Sequence, residues 1–263
     1  MKTAMPHPSL AAPSWVPLRT SFAFLCRQPR LLLWSLALVA LTGALTWAGY
    51  LVSVDLIDQL TGSFFKTPPQ VERFWHWPLL WGWTALHWVF LVFSRVVAFY
   101  LAFLLAYCLT TPGNVFLSTW AGNRYCAKAG EGEAAFTLTG TLIDLREGMK
   151  IGALGLLVTV AALLVNFIPI IGQAAAFVLY VFYSALMFVD FPSSRYRWTL
   201  GRKLRWVAAH RQSCFRLGLL PAVISMIPLV NVFLMALLLP LLTIHTTLNF
   251  LTIEGKKELV PAP

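Results

Sequence analysis

Two short segments, Asn166-Phe-Ile-Pro-Ile-Ile-Gly172 and Ser225-Met-Ile-Pro-Leu-Val-Asn231, each place an Ile-Pro turn between two apolar runs. Proline favours a turn, and the apolar runs on either side favour helices, so the pattern predicts two helical hairpins with proline at their tips. We place these hairpins at about residues 151–189 and 212–250. The segment between them, residues 190–211, is the most basic stretch of the chain.

The composition indicates the class of protein. Apolar residues make up 59% of the 263 residues and charged residues only 11%, whereas a soluble chain is roughly half apolar and about a quarter charged. We therefore predict an all-α integral membrane protein with a single membrane domain at residues 21–252. The flanking segments 1–20 and 253–263 are predicted to be cytoplasmic tails, and the first to be disordered because it is rich in proline.

Two further apolar runs predict long transmembrane helices at about residues 31–54 and 77–109. The first run carries no charge, and at 1.5 Å per residue it reaches about 36 Å, which exceeds the roughly 30 Å of a hydrocarbon core. Residues 55–76 are predicted to form a polar outer loop. The Thr110–Leu117 segment contains Pro-Gly and is predicted to break the second helix, so that a new helix begins near Asn114.

The lengths of the hairpin arms leave open how far they enter the membrane. The arms of the first contain 17 or 18 residues and the first arm of the second contains 11, whereas a span needs about 20 residues. In addition, the tip amides of Asn166, Gln173 and Asn231 must be buried in protein or meet water. We favour hairpins that stop part-way across the membrane, and the alternative is two pairs of complete spans.

The chain has 20 Lys and Arg residues against 10 Asp and Glu. Seven basic residues and one acid lie between Asp190 and Arg216, which follows the positive-inside bias of membrane proteins rather than indicating nucleic acid. The bias predicts that both termini, the 110–150 region and the connector 190–211 are cytoplasmic, and that the 55–76 loop is outside. The four cysteines lie near the predicted cytoplasmic segments, so we expect free thiols.

The connector 190–211 is predicted to contain an amphipathic helix. Its apolar stripe would consist of Leu200, Leu204, Val207 and Ala208. Its basic residues are Arg195, Arg197, Arg202, Lys203 and Arg205. One interpretation is a helix that lies on anionic lipid headgroups, and the other is a dedicated role in gathering anions from the cytosol.

Arg95 lies near the middle of the second long apolar run, too far from either end to reach water along the helix. One interpretation is that it is buried against backbone carbonyls or a neighbouring helix. The other is that it lines an anion path or an oligomer interface, because charges inside a membrane are usually functional.

The sequence carries no pattern typical of an enzyme or a metal site. The five histidines are scattered, no pair of acids falls inside an apolar run, and G-x-S-x-G and glycine-rich phosphate motifs are absent. We therefore expect no catalytic residue, metal or cofactor. The remaining possibility is anion binding, because the N-terminus of a broken helix presents backbone N–H groups to an oxyanion.

A series of motifs in the same order resembles the CysZ-type sulfate permeases, which belong to the etoposide-induced-protein-like superfamily. The motifs are Gln28-Pro29, Thr111-Pro-x-Asn114, Asn166-Phe-Ile-Pro-Ile-Ile-Gly-Gln173, Phe188-Val-Asp-Phe-Pro192 and Met226-Ile-Pro-Leu-Val-Asn-Val-Phe-Leu-Met235. The resemblance covers roughly residues 20–250. It implies two long transmembrane helices, two hemi-penetrating hairpins, a homo-oligomer in the bacterial inner membrane, and sulfate uptake for cysteine synthesis.

The resemblance also implies where an oxyanion would bind. In that family sulfate is held by backbone amides of a Gly-Leu-Leu run, and by an arginine pair shortly after Gln-Pro. The matching run here is Asn114, Val115, Phe116 and Leu117, with Val-Phe-Leu in place of Gly-Leu-Leu. Leu32 and Leu33 stand where the arginine pair would fall, so the positive charge would come from Arg27 or Arg30. The alternative function is a non-transporting scaffold or lipid-binding protein of the same superfamily, with anionic lipid as its partner.

Overall fold

The computed structural model describes residues 15–65, 77–125, 138–169, 171–227 and 230–259, and the regular elements in these ranges are all α-helices. They are α1 (Leu18–Cys26), α2 (Pro29–Phe65), α3 (Trp77–Tyr125), α4 (Leu138–Val165), α5 (Ile171–Ser194), α6 (Leu200–Ala209), α7 (Arg211–Ser225) and α8 (Val230–Leu259). Five of them, α2, α3, α4, α5 and α8, include a stretch long and apolar enough to cross a membrane. The predicted all-α membrane fold is confirmed.

Several sequence predictions lie outside the described residues. They concern the tail at 1–14, the 66–76 part of the outer loop, the loop 126–137 with Cys126, Pro228 at the second tip, and residues 260–263.

The contacts within the chain divide it into a smaller unit, Ala40–Thr110, and a larger unit made of the remaining residues. Helices α2 and α3 contribute to both units. In the smaller unit these helices pair closely, since a Cβ atom added to Gly49 would lie 3.3 Å from the Cβ of Ala102. The ring of Tyr50 also packs edge-on against Phe99, with 6.0 Å between the centroids.

Helix α2 is longer than the sequence predicts. It runs from Pro29 to Phe65 and so includes the first part of the predicted outer loop 55–76. Asp58 does not end the helix, because its carboxylate is paired with Arg95 on α3. The helix begins at a proline as expected, since proline lacks only an N–H group that would have no helical partner at that position.

Helix α3 continues through the predicted break. It contains Pro112 in its interior, so the prediction that it ends at Thr110–Leu117 is wrong. A proline inside a helix removes one hydrogen bond and costs about 3 kcal/mol or more, but nearby hydroxyl groups can satisfy the backbone around it. The bond lost at Pro112 is the one to the carbonyl of Cys108, four residues earlier. The hydroxyl of Thr110 instead donates to the carbonyl oxygen of Ala106 at 2.9 Å, so it does not replace that bond.

The first hairpin is formed by α4 and α5 around the Asn166-Phe-Ile-Pro turn. Its arms have 28 and 24 residues, more than the 17 or 18 predicted, and both include a stretch able to cross a membrane. At the tip the N–H of Ile168 donates to the carbonyl of Val165 at 3.0 Å. Phe167 is 84% exposed there, which favours a tip surrounded by lipid or protein rather than water.

The second hairpin is formed by α7 and α8, and its arms are unequal. Helix α7 has 15 residues and is about 22 Å long, too short to cross, whereas the 30 residues of α8 include a stretch that can. The amide of Asn231 donates to the carbonyl of Ser225 at 3.0 Å, which satisfies a polar group that the tip would otherwise expose. The two hairpins are therefore confirmed as helical pairs, and their depth in the membrane stays a prediction.

Helix α5 is central to the larger unit and packs against α4, α6, α7 and α8. Its contact with α7 is very close at Gly218, where an added Cβ atom would lie 1.9 Å from the carbonyl oxygen of Val181. Ala185 on α5 and Ala222 on α7 are both fully buried. Small residues of this kind let the backbones of two membrane helices approach each other.

Residues 15–20 lie against α8, so the prediction of a disordered tail through residue 20 is wrong for this part. Val16 is buried, its N–H donates to Oδ1 of Asn249 at 2.9 Å, and its carbonyl accepts a hydrogen bond from Nδ2 of the same side chain at 3.0 Å. Helix α1 follows and buries two apolar side chains in a shared cluster. The cluster includes Phe24, Leu25, Leu31, Leu117, Ile244 and Leu248.

The substitution Gly218→Ala should destabilise the protein, because the new methyl group would meet a backbone carbonyl that cannot move aside. We expect a loss of about 1–3 kcal/mol, typical of overpacking, measured by thermal or denaturant unfolding in detergent. The matched control is Gly201→Ala on α6, where nothing lies within 4 Å of the new methyl group. Since alanine favours a helix by about 1 kcal/mol over glycine, this control should be neutral or stabilising. Equal stability of the two variants would contradict the close contact.

Candidate functional site

Buried, uncharged polar side chains follow one face of α3, where Ser118 contacts α8 and Thr111 lies 3.2 Å from the position of a Cβ atom added to Gly148 on α4. On α3, Thr111, Asn114 and Ser118 follow each other at spacings of three and four residues and so share one face of the helix. On α8 the buried polar residues are Thr243 and Thr247. All five side chains are at most 2% exposed. We call these five residues the polar seam.

One hydrogen bond, between Ser118 and Thr247, joins the two helices of the polar seam. The hydroxyl of Thr247 donates to the carbonyl of Thr243 at 2.7 Å, so its oxygen accepts the hydrogen of the Ser118 hydroxyl, also at 2.7 Å. The seam is thus built from hydroxyl and amide groups, which can exchange their present partners for a bound oxyanion without moving a formal charge.

A guanidinium group lies at one end of the polar seam. Gly122 is one helical turn beyond Ser118 on α3, and a Cβ atom added to it would lie 3.5 Å from Nη1 of Arg195 and 3.7 Å from the methyl carbon of Thr247. The absence of a side chain at Gly122 therefore leaves room for the arginine beside α8. Arg195 belongs to the predicted basic connector, but it is only partly exposed here.

The predicted substrate-binding stretch lies within the continuous helix α3. Asn114 and Leu117 are fully buried, Val115 is 8% exposed, and Phe116 packs edge-on against Trp34 with 5.2 Å between the ring centroids. Because the helix does not restart at Asn114, these positions do not present the free backbone N–H groups of a helix N-terminus. Their part in binding stays a prediction, and the amide side chain of Asn114 is the member that faces the seam's polar row.

Arg27 and Arg30, the predicted sources of positive charge, are both exposed. Arg27 follows the last turn of α1 and Arg30 lies in the first turn of α2. The structure therefore places these two arginines at the surface, whereas it places Arg195 against the buried seam. Their role in binding also stays a prediction.

The connector helix α6 has a different inner face from the one predicted. Leu204 and Ala208, two members of the predicted apolar stripe, are exposed, and the buried residues are Lys203, Trp206 and Val207. Lys203 is buried because its ammonium group lies 2.5 Å from Oδ1 of Asp190, with both side chains at most 3% exposed. The prediction that Lys203 lies with the basic residues outside the apolar face of the helix is therefore wrong.

Three of the other basic residues of the connector form its exposed basic surface. Arg197, Arg202 and Arg205 are exposed, and the guanidinium of Arg202 lies 4.4 Å from the centre of the Trp198 ring. This cation–π contact holds the arginine in place.

The Lys203–Asp190 pair gives a stability prediction. Lys203→Met leaves a buried carboxylate without its partner, so we expect a loss of about 3–5 kcal/mol in the free energy of unfolding. The double variant Lys203→Met with Asp190→Leu removes both charges and should recover most of that loss. Denaturant unfolding in detergent measures both effects.

The control for this experiment is Arg205→Met, an exposed position on the same helix, which should change stability by at most about 0.5 kcal/mol. If the double variant were as unstable as Lys203→Met alone, the ion pair would not be the cause.

Arg95 is held by the neighbouring helix of the smaller unit. Its Nη2 donates to both carboxylate oxygens of Asp58, at 3.0 and 2.9 Å, and the two side chains are 31% and 52% exposed. Asp58 lies beyond the charge-free run 31–54, which by itself reaches about 36 Å. The pairing therefore favours the interpretation in which Arg95 contacts a neighbouring helix. It also places the guanidinium of Arg95 beside the end of the apolar run 31–54.

The comparison with protein families identifies the chain. The family described as Sulfate transporter CysZ/Etoposide-induced protein 2.4 matches residues 18–236, which include α1 to α7 and the start of α8. The chain belongs to this family. It is a transporter-type family rather than an enzyme family, and the apolar helices of the chain fit a multi-pass membrane protein. No curated protein matches the chain.

Sequence reasoning missed the α8 side of the polar seam and the position of Arg195. A signal for the first was present, because Thr243 and Thr247 recur at a spacing of four residues inside an apolar run. The position of Arg195 over Gly122 had no local signal, since the two residues meet only through the packing of separate helices.

Proposed function

We propose that the protein is a permease or channel for a small oxyanion in the bacterial inner membrane, that sulfate is its substrate, and that the imported sulfate feeds cysteine synthesis. Membership of the sulfate transporter family over residues 18–236 carries this proposal. We further propose that the protein works as a homo-oligomer with both termini in the cytoplasm.

The polar seam and Arg195 are the proposed contacts of the anion. Hydroxyl and amide donors bind an oxyanion through single hydrogen bonds, while the guanidinium of Arg195 supplies positive charge. A conducting path must bind its ion strongly enough to admit it and weakly enough to release it. Neutral donors that end at an arginine meet both requirements better than a cluster of arginines would.

A second candidate function is a scaffold that binds anionic lipid. The observation in its favour is the exposed surface of Arg197, Arg202 and Arg205, which adjoins the exposed side chain of Leu204. This function predicts binding to anionic vesicles that is lost when Arg202 and Arg205 become Gln, without any dependence on sulfate.

The decisive experiment measures uptake of labelled sulfate by proteoliposomes that contain the purified protein. We expect uptake above that of empty vesicles, and Arg195→Gln should lower it about tenfold, because a hydrogen bond to a charged group contributes about 1.5–3 kcal/mol. Thr247→Val should also lower it, since it removes a hydroxyl from the seam.

Two control variants match these substitutions. Arg205→Gln changes an exposed connector arginine, and Thr159→Val changes an exposed threonine on α4 whose hydroxyl donates to its own helix at Gly155. Both should retain uptake within about twofold, as expected of surface substitutions. Absence of uptake above empty vesicles under several sulfate gradients would overturn the proposed function, whereas equal losses in controls and test variants would overturn only the proposed path.

The orientation of the amino end can be tested with native cysteines. Cys26 is exposed, whereas Cys214 is fully buried and its burial raises the pKa of the thiol to about 12, so it holds almost no reactive thiolate at neutral pH. In a variant with Cys108 and Cys126 replaced by Ser, an impermeant maleimide should label Cys26 in inverted membrane vesicles and not in right-side-out vesicles. The opposite result would place the amino end outside, and Cys26→Ser is the control for the labelled site.

A further inference from the structure

The N-terminal segment is fixed to α8 by a buried polar cluster of Val16, Ser21, His245 and Asn249. The N–H of Val16 can only donate, so the side-chain atom of Asn249 that lies 2.9 Å away must be the amide oxygen. The amide nitrogen then faces the carbonyl oxygens of Val16 at 3.0 Å and of His245 at 2.9 Å. The orientation of this amide is therefore decided by the backbone it binds.

The orientation of Asn249 in turn decides the protonation state of His245. Nδ1 of the ring lies 3.3 Å from the amide nitrogen of Asn249 and 3.0 Å from the hydroxyl oxygen of Ser21. The two amide hydrogens serve three acceptors, so the hydrogen on the His245 side is shared between the carbonyl oxygen and Nδ1 of that residue. This arrangement fits a neutral imidazole with its proton on Nε2. The Ser21 hydroxyl can then donate to Nδ1, and the ring of Trp15 packs edge-on at 5.7 Å.

The charged groups around the cluster do not favour a protonated ring. The guanidinium of Arg216 on α7 lies 5.6 Å from the centre of the Trp15 ring. The other basic residues of the neighbouring helices are Arg19 on α1 and Arg124 on α3. Helices α1, α3 and α7 contain no carboxylate. On α5 and α8, Asp190 is bound to Lys203 and Glu254 accepts a hydrogen bond from Trp206.

We propose that this cluster is an acid-sensitive latch, in which protonation of His245 releases the segment Trp15–Cys26 from α8. A proton on Nδ1 would place an N–H group against the donor N–H₂ of Asn249. It would also leave a buried positive charge without a carboxylate, which is strongly unfavourable. Both effects are relieved when the segment moves away and water reaches the ring.

Release of the segment would uncover one end of α3. Phe24 and Leu25 on α1 share a buried cluster with Leu31 and Leu117, and Leu117 is the residue before Ser118 of the polar seam. An open latch therefore exposes the predicted substrate-binding stretch to the side of α1. This consequence for transport rests on the proposed function, whereas the latch itself does not.

The test follows the mobility of α1 through a dye on Cys26. In the variant with Cys108 and Cys126 replaced by Ser, Cys26 is labelled once at neutral pH, and the fluorescence anisotropy of the dye is then measured as the pH is lowered. We expect a reversible fall in anisotropy below about pH 6.5, the ordinary pKa of histidine. His245→Gln, which cannot be protonated, should keep high anisotropy throughout, and Asn249→Ala should show low anisotropy even at neutral pH.

The control is His210→Gln. His210 is a half-buried histidine at the junction of α6 and α7 whose ring packs against Trp206, so its replacement should leave the titration unchanged. The second variant, Ser21→Ala, leaves the imidazole of His245 intact. It removes a hydroxyl that donates to neutral Nδ1, so the neutral ring is less stabilised and the fall in anisotropy should move to higher pH. The latch is overturned if the anisotropy is independent of pH, or if His245→Gln and Ser21→Ala both titrate like the parent. Sulfate flux is measured separately, so a protein that transports nothing can still show the titration.

Discussion

The close contact between α5 and α7 is the constraint on which the larger unit depends. Helices in a membrane gain little from the hydrophobic effect when they associate, so they rely on packing at short distance and on hydrogen bonds. At Gly218 the backbone of α7 approaches the Val181 carbonyl so closely that no side chain fits. Because α4 packs on α5 and α8 on α7, this contact holds the two hairpins together, along with the direct packing of α5 against α8. The buried pair of Lys203 and Asp190 then fixes the connector that links them.

The fold class and the hairpins could be predicted because they depend on local properties, namely the length of apolar runs and the turns made by Ile-Pro. The ends of α2 and α3 could not be predicted in this way. Asp58 resembled the start of a loop, but its carboxylate binds Arg95, which is 37 residues away. Pro112 resembled a helix break, but α3 continues through it. At Asp58 the deciding contact is one that the local sequence does not show.

The candidate site was only partly predictable for the same reason. Asn114 was singled out through its motif, and the structure buries it in a polar row. The partner helix was overlooked because single threonines and serines inside apolar runs usually bond to their own backbone. Lys203 was grouped with the arginines around it, since charge pattern alone cannot reveal that Asp190, 13 residues earlier, is buried and takes the ammonium group. Arg195 is the connector arginine whose guanidinium lies beside the polar seam, but the sequence alone did not distinguish it from the other connector arginines.

The short length of α7 has a consequence for the lipid around the protein. Its 15 residues extend about 22 Å, and several of its apolar side chains, among them Leu219, Leu220 and Val223, are exposed. A bilayer with a hydrocarbon core of roughly 30 Å cannot match such a helix without thinning beside it or admitting water at its end. The energy of that deformation depends on acyl chain length, so the composition of the membrane becomes one of the variables that set how the second hairpin is held.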